Sequence, residues 1–143
     1  MLWMTDEMDF GYMIKQVSDR LKVRADAMLA KTDLTVSQAK IIRLVTDNGG
    51  KITQKALEER LQVSHPTIVG LVGRLEKKGY LSCDIAEDHR NKLVFMTEKA
   101  NVLTKSAREE IDEIEKTLLA GFTIEDKNKL RDMLQRLYDN LGF

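Results

Sequence analysis

The chain has 143 residues, 43% hydrophobic and 32% charged, which is enough for a real core and is the composition of a soluble globular protein. Its 23 basic and 23 acidic residues cancel, which argues against a uniformly basic coat for nucleic acid, and its one cysteine excludes an internal disulfide and fits a reducing cytoplasm. No apolar run approaches the roughly 20 residues of a membrane span, and Met1-Leu2-Trp3-Met4 meets Thr5-Asp6 with no basic stretch, so neither a membrane protein nor a signal peptide is expected.

Residues 1–8 read as a loose arm. Phe10, Ile14, Val17, Leu21, Ala25 and Met28 then recur at helical spacing, which predicts a helix from Phe10 to about Ala30. Its seam needs a partner surface, either its own domain or a second subunit. Thr35-Val36-Ser37-Gln38 is a capping box, opening a helix that runs to Asp47-Asn48 and stops at Gly49-Gly50, with Ala39, Ile42 and Val45 inward. Lys51-Ile52 is expected as a short strand. Thr53 caps Gln54–Leu61, whose Ala56, Leu57 and Leu61 face inward, and a three-residue link, Gln62 to Ser64, follows.

The next helix is announced several ways. Ser64 suits the N-cap, accepting from the N–H of Thr67, and Pro66 sits in the first turn, where its missing N–H costs little. Val63 and Ile68 take the positions of a hydrophobic staple. Ile68, Leu71, Val72 and Leu75 make one apolar stripe, and Gly70 and Gly73 lie outside it in mid-helix, each costing about 1 kcal/mol against Ala. A bare helix face makes sense where another backbone must come close; the plain alternative is two neutral replacements on a tolerant surface. Lys77-Lys78-Gly79 ends the helix. Tyr80–Ile85 and Lys92–Met96 alternate as strands, with Leu81, Cys83 and Ile85 on one face and the polar tip Ala86-Glu87-Asp88-His89-Arg90-Asn91 between them. Two short helices in a tight turn followed by a hairpin make a helix-turn-helix with a wing.

Beyond Thr97 a helix of roughly 23 residues carries Ala100, Leu103, Ala107, Ile111, Ile114 and Leu118 on one stripe and ends at Gly121. Thr123, with Asp126 three residues on, caps a last helix with Ile124, Leu130, Met133, Leu134, Leu137 and Leu141 apolar, closed by Gly142. Three segments follow: an N-terminal dimerisation helix in 1–32, the winged helix-turn-helix in 33–97 and dimerisation helices in 98–143. The fold class is mainly α with a small β-wing. Charge is uneven along the chain: residues 51–92 hold eight basic and six acidic residues, whereas residues 93–143 hold eight and ten. So small an excess predicts modest affinity per monomer and reliance on a dimer.

The order helix, helix, wing, with Asp88-His89-Arg90-Asn91 at the tip and Leu93-Val94-Phe95-Met96-Thr97 leaving it, resembles the multiple-antibiotic-resistance regulator (MarR) family. Leu34-Thr35-x-x-Gln38, Val63-Ser64-x-Pro66-Thr67 and Arg74-Leu75-Glu76-x-x-Gly79 add to it, and the likeness runs from about residue 10 to 141. Ala100 departs from the pattern, standing where the family often has Gly. The resemblance implies a cytoplasmic homodimer, a double-stranded DNA partner, a minor-groove contact by the tip arginine, and a small lipophilic or phenolic effector between the dimerisation helices and the winged domain. Trp3, Phe10, Tyr12 and Met13 can line such a pocket, and core packing explains them equally well.

The candidate DNA contacts are Ser64, His65, Pro66, Thr67, Val69, Gly70, Arg74, Asp88 and Arg90. Ser64 and Thr67 offer a hydroxyl and free N–H groups to a phosphate, Arg74 suits guanine, Val69 a thymine methyl, and Asp88 can aim Arg90. The alternative for each is a solvated surface residue. Cys83, on a strand face with Leu81 and Ile85, reads as a buried inert thiol, and two histidines without a Cys/His cluster give no metal site. No catalytic constellation stands out, so neither an enzyme nor a cofactor is expected. The expected function is a ligand-responsive repressor on a pseudo-palindromic operator; a winged-helix module for protein partners, supported by the zero net charge, is the rival.

Overall fold

A computed structural model describes residues 9–85 and 92–142. The expectations for the N-terminal arm and for the wing tip, Asp88 and Arg90 among them, lie outside the described residues. The chain forms two compact units, Met1–Ala107 and Arg108–Phe143.

The elements in order are α1 (Phe10–Ala30), α2 (Val36–Asp47), β1 (Lys51–Thr53), α3 (Gln54–Leu61), α4 (His65–Lys77), β2 (Leu81–Ile85), β3 (Lys92–Met96), α5 (Glu98–Leu118) and α6 (Ile124–Leu141). The three strands form an antiparallel sheet in the order β1-β3-β2, with Val94 paired to Ile52 on one side and Cys83 on the other. Local chemistry places the boundaries. Thr35 Oγ1 accepts from Gln38 N–H at 3.2 Å and Gln38 Oε1 accepts from Thr35 N–H at 3.1 Å, a complete capping box. Thr53 caps α3 by accepting from Ala56 N–H at 3.1 Å. In the second unit Thr123 and Asp126 repeat the reciprocal cap at 3.1 and 3.0 Å.

One core lies between α2, α3, α4 and the sheet, built on Ile41, Val45, Leu57, Ile68, Val72, Leu75 and Val94. Helix α2 buries a wider arc than a single stripe, taking in Gln38 and Ile41 as well as Ile42 and Val45, because it packs on both α4 and the sheet. Ala39, expected inside, is half-buried. On β2 the expected apolar face holds at Leu81 and Cys83, but Ile85 is 63% exposed, since the strand has run past the core by then. Ala100 is fully buried in the first turn of α5, a position that needs no glycine.

Helix α4 ends in a Schellman motif: Tyr80 N–H donates to Leu75 C=O at 3.0 Å and Gly79 N–H to Glu76 C=O at 2.9 Å, with Gly79 at φ +84°. Tyr80 therefore belongs to the helix cap rather than to the strand expected from residue 80. Its hydroxyl donates to Asp33 Oδ1 at 2.6 Å. Around it Lys78 Nζ donates to the Asp33 carbonyl and, at 2.9 Å, to Gln38 Oε1. Lys99 Nζ donates to the Lys78 carbonyl at 2.6 Å and lies 4.4 Å from the Tyr80 ring centre, while Thr97 Oγ1 donates to the Gly79 carbonyl at 2.6 Å. The entry to α2, the exit of α4 and the start of α5 are thus tied at one point.

The hydrogen bond to Asp33, with burial, pushes the Tyr80 phenol up to about 12, and the same bond holds the Asp33 carboxyl below its ordinary value. A phenol raised in the fold above its ordinary value of ~10 contributes stability that is present below about pH 10 and is lost as pH rises from there through about 12. The Asp33 contribution has the opposite sense, present above the ordinary carboxylate range and lost as pH falls. Tyr80→Phe should therefore lose less stability than wild type between pH 10 and 12, which denaturant titrations at stepped pH will read. Parallel curves for the two proteins would remove the Tyr80–Asp33 bond from the stability account.

Candidate nucleic-acid interface

Helices α3 and α4 meet across a turn in which Gln62 adopts the left-handed conformation (φ 52°, ψ 45°), the single non-glycine residue to do so among those described. That residue turns the chain so sharply that only three residues separate the end of α3 from the start of α4. Ser64 caps α4: its Oγ accepts from Thr67 N–H at 3.4 Å and pairs with Thr67 Oγ1 at 2.8 Å. His65 is the first helical residue, and its Nδ1 is paired with the Glu58 carboxylate of α3. The sequence offered no sign of that partnership.

Helical periodicity sorts the rest of α4. Ile68, Val72 and Leu75 are buried and Leu71 is half-buried. On the opposite side Pro66, Gly70, Gly73 and Lys77 align in one ridge, flanked by Thr67 and Arg74 and, on the other flank, by His65 and an exposed Val69. The Arg74 side chain folds back over Gly70, its guanidinium 3.6–3.8 Å from where a Cβ on residue 70 would lie. A Cβ on Gly73 would meet nothing within 4 Å. Both glycines have ordinary helical backbone and neither is crowded, so the fold itself has no use for them. A face kept bare at a cost of about 1 kcal/mol per glycine suits close approach by another molecule. The α4 candidates (Ser64, His65, Pro66, Thr67, Val69, Gly70 and Arg74) all belong to this N-terminal and outer surface, whereas Asp88 and Arg90 fall outside the described residues.

The remaining polar groups do not make a reactive centre. Burial first, then the Glu76 carboxylate beside it, pushes the Cys83 thiol up to about 12, while Lys92 opposes the shift. Glu76 is itself paired with Lys92 at 3.6 Å. No group of His, Cys, Asp and Glu suited to a metal ion exists among the described residues.

A winged helix-turn-helix with a bare, partly cationic second helix defines the class of protein: a DNA-binding transcriptional regulator. The MarR family model matches residues 32–90. YwoH, an uncharacterized HTH-type transcriptional regulator of Bacillus subtilis (strain 168), is 30% identical over 116 residues, covering 81% of this chain and 84% of YwoH. In fold the chain is similar to MepR, a transcription regulator of the Staphylococcus aureus multidrug efflux pump MepA, with a TM-score of 0.80 and 23% identity over 94% of this chain and all of that one. It is also similar to S. aureus MepR solved in a complex with DNA, with a TM-score of 0.74 and 24% identity over 93% of this chain and 100% of that one. The chain belongs to the MarR family, whose members regulate transcription rather than catalyse reactions.

Two measurements test this surface. Gly73→Ala should raise stability by up to about 1 kcal/mol in urea titrations and weaken DNA binding, because the new methyl is free in the monomer but stands between α4 and the duplex. A variant that is more stable and binds as well as wild type would mean that the ridge does not approach DNA. Cys83 should react with iodoacetamide much more slowly in the native protein than in urea, since its thiolate is scarce; equal rates would show the thiol to be open.

Proposed function

We propose that the protein is a cytoplasmic homodimeric repressor that reads a pseudo-palindromic operator and releases it on binding a small lipophilic or phenolic effector. In this reading residues 33–97 form the DNA-binding domain, and 1–32 with 98–143 form the dimerisation module. The observation that carries the DNA part is the glycine ridge of α4, kept bare on the helix that enters the major groove, with Arg74 laid across it. The structure of MepR with DNA supports a duplex as the partner of this fold.

Dimerisation rests on apolar surface. No residue of α1 or α6 is buried. Phe10 (77% exposed), Met13, Ile14 and Val17 on α1, and Met133, Leu134, Leu137 and Leu141 on α6, leave stripes too apolar for water. A second copy covers them and sets two recognition helices about one DNA turn apart. An effector then acts by binding better to a dimer whose helix spacing misfits the operator, since equal affinity for both states shifts nothing. Ser64 and Thr67 contact phosphate, His65, Val69 and Arg74 contact base edges, and Arg90, aimed by Asp88, enters the minor groove.

Fluorescence anisotropy on the DNA upstream of the gene, against scrambled duplex at two salt concentrations, tests the reading. Preference for the native segment at the higher salt supports it; equal, salt-abolished binding to both would favour a wing that serves a protein partner. Arg90→Ala is expected to weaken specific binding by about 1–3 kcal/mol. Sedimentation should give about twice the 16.4 kDa of one chain.

A further inference from the structure

Glu58 is an acid where an acid is unwelcome. It lies on α3 of the helix-turn-helix, against the first residue of the helix that enters the groove, and a carboxylate there repels phosphate. It is also tucked in: its side chain is 21% exposed, against 67% for His65, with which it pairs. A carboxylate can only accept, so the imidazole Nδ1 paired with it carries the proton. In the neutral ring Nε2 is then an acceptor. The two nitrogens point in divergent directions, so holding Nδ1 on α3 turns Nε2 away from α3. No second partner of the His65 ring exists among the described residues.

We propose that Glu58 is a positioning residue that fixes His65 as a hydrogen-bond acceptor, so that His65 selects a base bearing an exocyclic amine at one position of each half-site. In the major groove the only donors on base edges are adenine N6 and cytosine N4, whereas guanine and thymine offer acceptors that an unprotonated Nε2 rejects. Without Glu58 either nitrogen can hold the proton and the ring can turn, so the same histidine would take donors and acceptors alike. The inference rests on the DNA-binding reading above and adds to it a determinant of sequence preference outside the recognition helix.

The experiment measures binding of wild type, Glu58→Ala, His65→Ala and the double variant to operator duplexes carrying each base in turn at every half-site position. Wild type should prefer adenine or cytosine at one position by roughly 3- to 10-fold, the weight of a single hydrogen bond. His65→Ala and Glu58→Ala should each flatten that preference, and the double variant should be no flatter than either. Which amine-bearing base gives the tighter complex separates adenine from cytosine. Glu58→Ala should leave binding to scrambled duplex unchanged or tighter, since a negative charge is gone, whereas a damaged fold would weaken every duplex alike. Glu58→Gln, whose amide oxygen can still accept from Nδ1, should keep the preference. Independently of DNA, long-range proton–nitrogen NMR of the neutral protein should find the His65 proton on Nδ1, and on Nε2 in part in Glu58→Ala. A preference that survives Glu58→Ala, or flattening that adds across the two sites, overturns the inference while leaving specific DNA binding intact. Wild-type protein with no preference for any duplex overturns both together.

Discussion

Everything the interface offers depends on how α4 is held. Three side chains on one face, Ile68, Val72 and Leu75, are buried against α2 and the sheet. Each contributes about 1.5–3 kcal/mol by leaving water, so the stripe outweighs the roughly 2 kcal/mol that two mid-helix glycines cost. The helix can therefore leave its outer face bare and still stay folded. Its two ends are fixed by different chemistry. At the N-terminus the left-handed Gln62, the Ser64 cap and the Glu58–His65 pair set where α4 starts relative to α3. At the C-terminus the Schellman turn hands the chain to Tyr80, whose hydroxyl reaches Asp33.

That second end has a mechanical consequence. Lys78, Gly79 and Tyr80 leave α4 while bonded to residues at the entry of α2 and the first turn of α5. All of these bonds lie within the first compact unit. The end of the recognition helix and the beginning of α5 are thus joined through short polar contacts.

Most of the fold was legible in the sequence because its signals are local. Capping boxes three residues apart, a glycine after a run of lysines, and apolar spacing within one helix placed α2, α4, α5 and α6 nearly to the residue. The alternation of Lys92–Met96 likewise gave β3 its correct bounds. The features that escaped are contacts between residues far apart in sequence or burial set by two neighbours at once. Asp33 and Tyr80 are separated by 47 residues, and nothing near either announces the other. Ile41 is not among the inward residues expected of α2 and is fully buried because α2 has partners on two sides. His65 reads in sequence as a candidate DNA contact, and its intramolecular partner escapes notice because Glu58 belongs to the preceding helix.

The glycines were legible as an oddity and gained meaning only from the structure. In sequence, Gly70 and Gly73 allow either two neutral replacements on a tolerant surface or a face kept bare for a partner. Ordinary helical backbone at both, open space at Gly73 and only the Arg74 side chain over Gly70 show that neither glycine serves packing or a special backbone conformation. What is left is a place where stability was given up with no return inside the monomer. The same test applies to the apolar stripes of α1 and α6, helices in which no residue is fully buried. In a protein this small, features that the isolated fold does not need mark where partners are to be sought, the ridge of α4 and the apolar stripes among them.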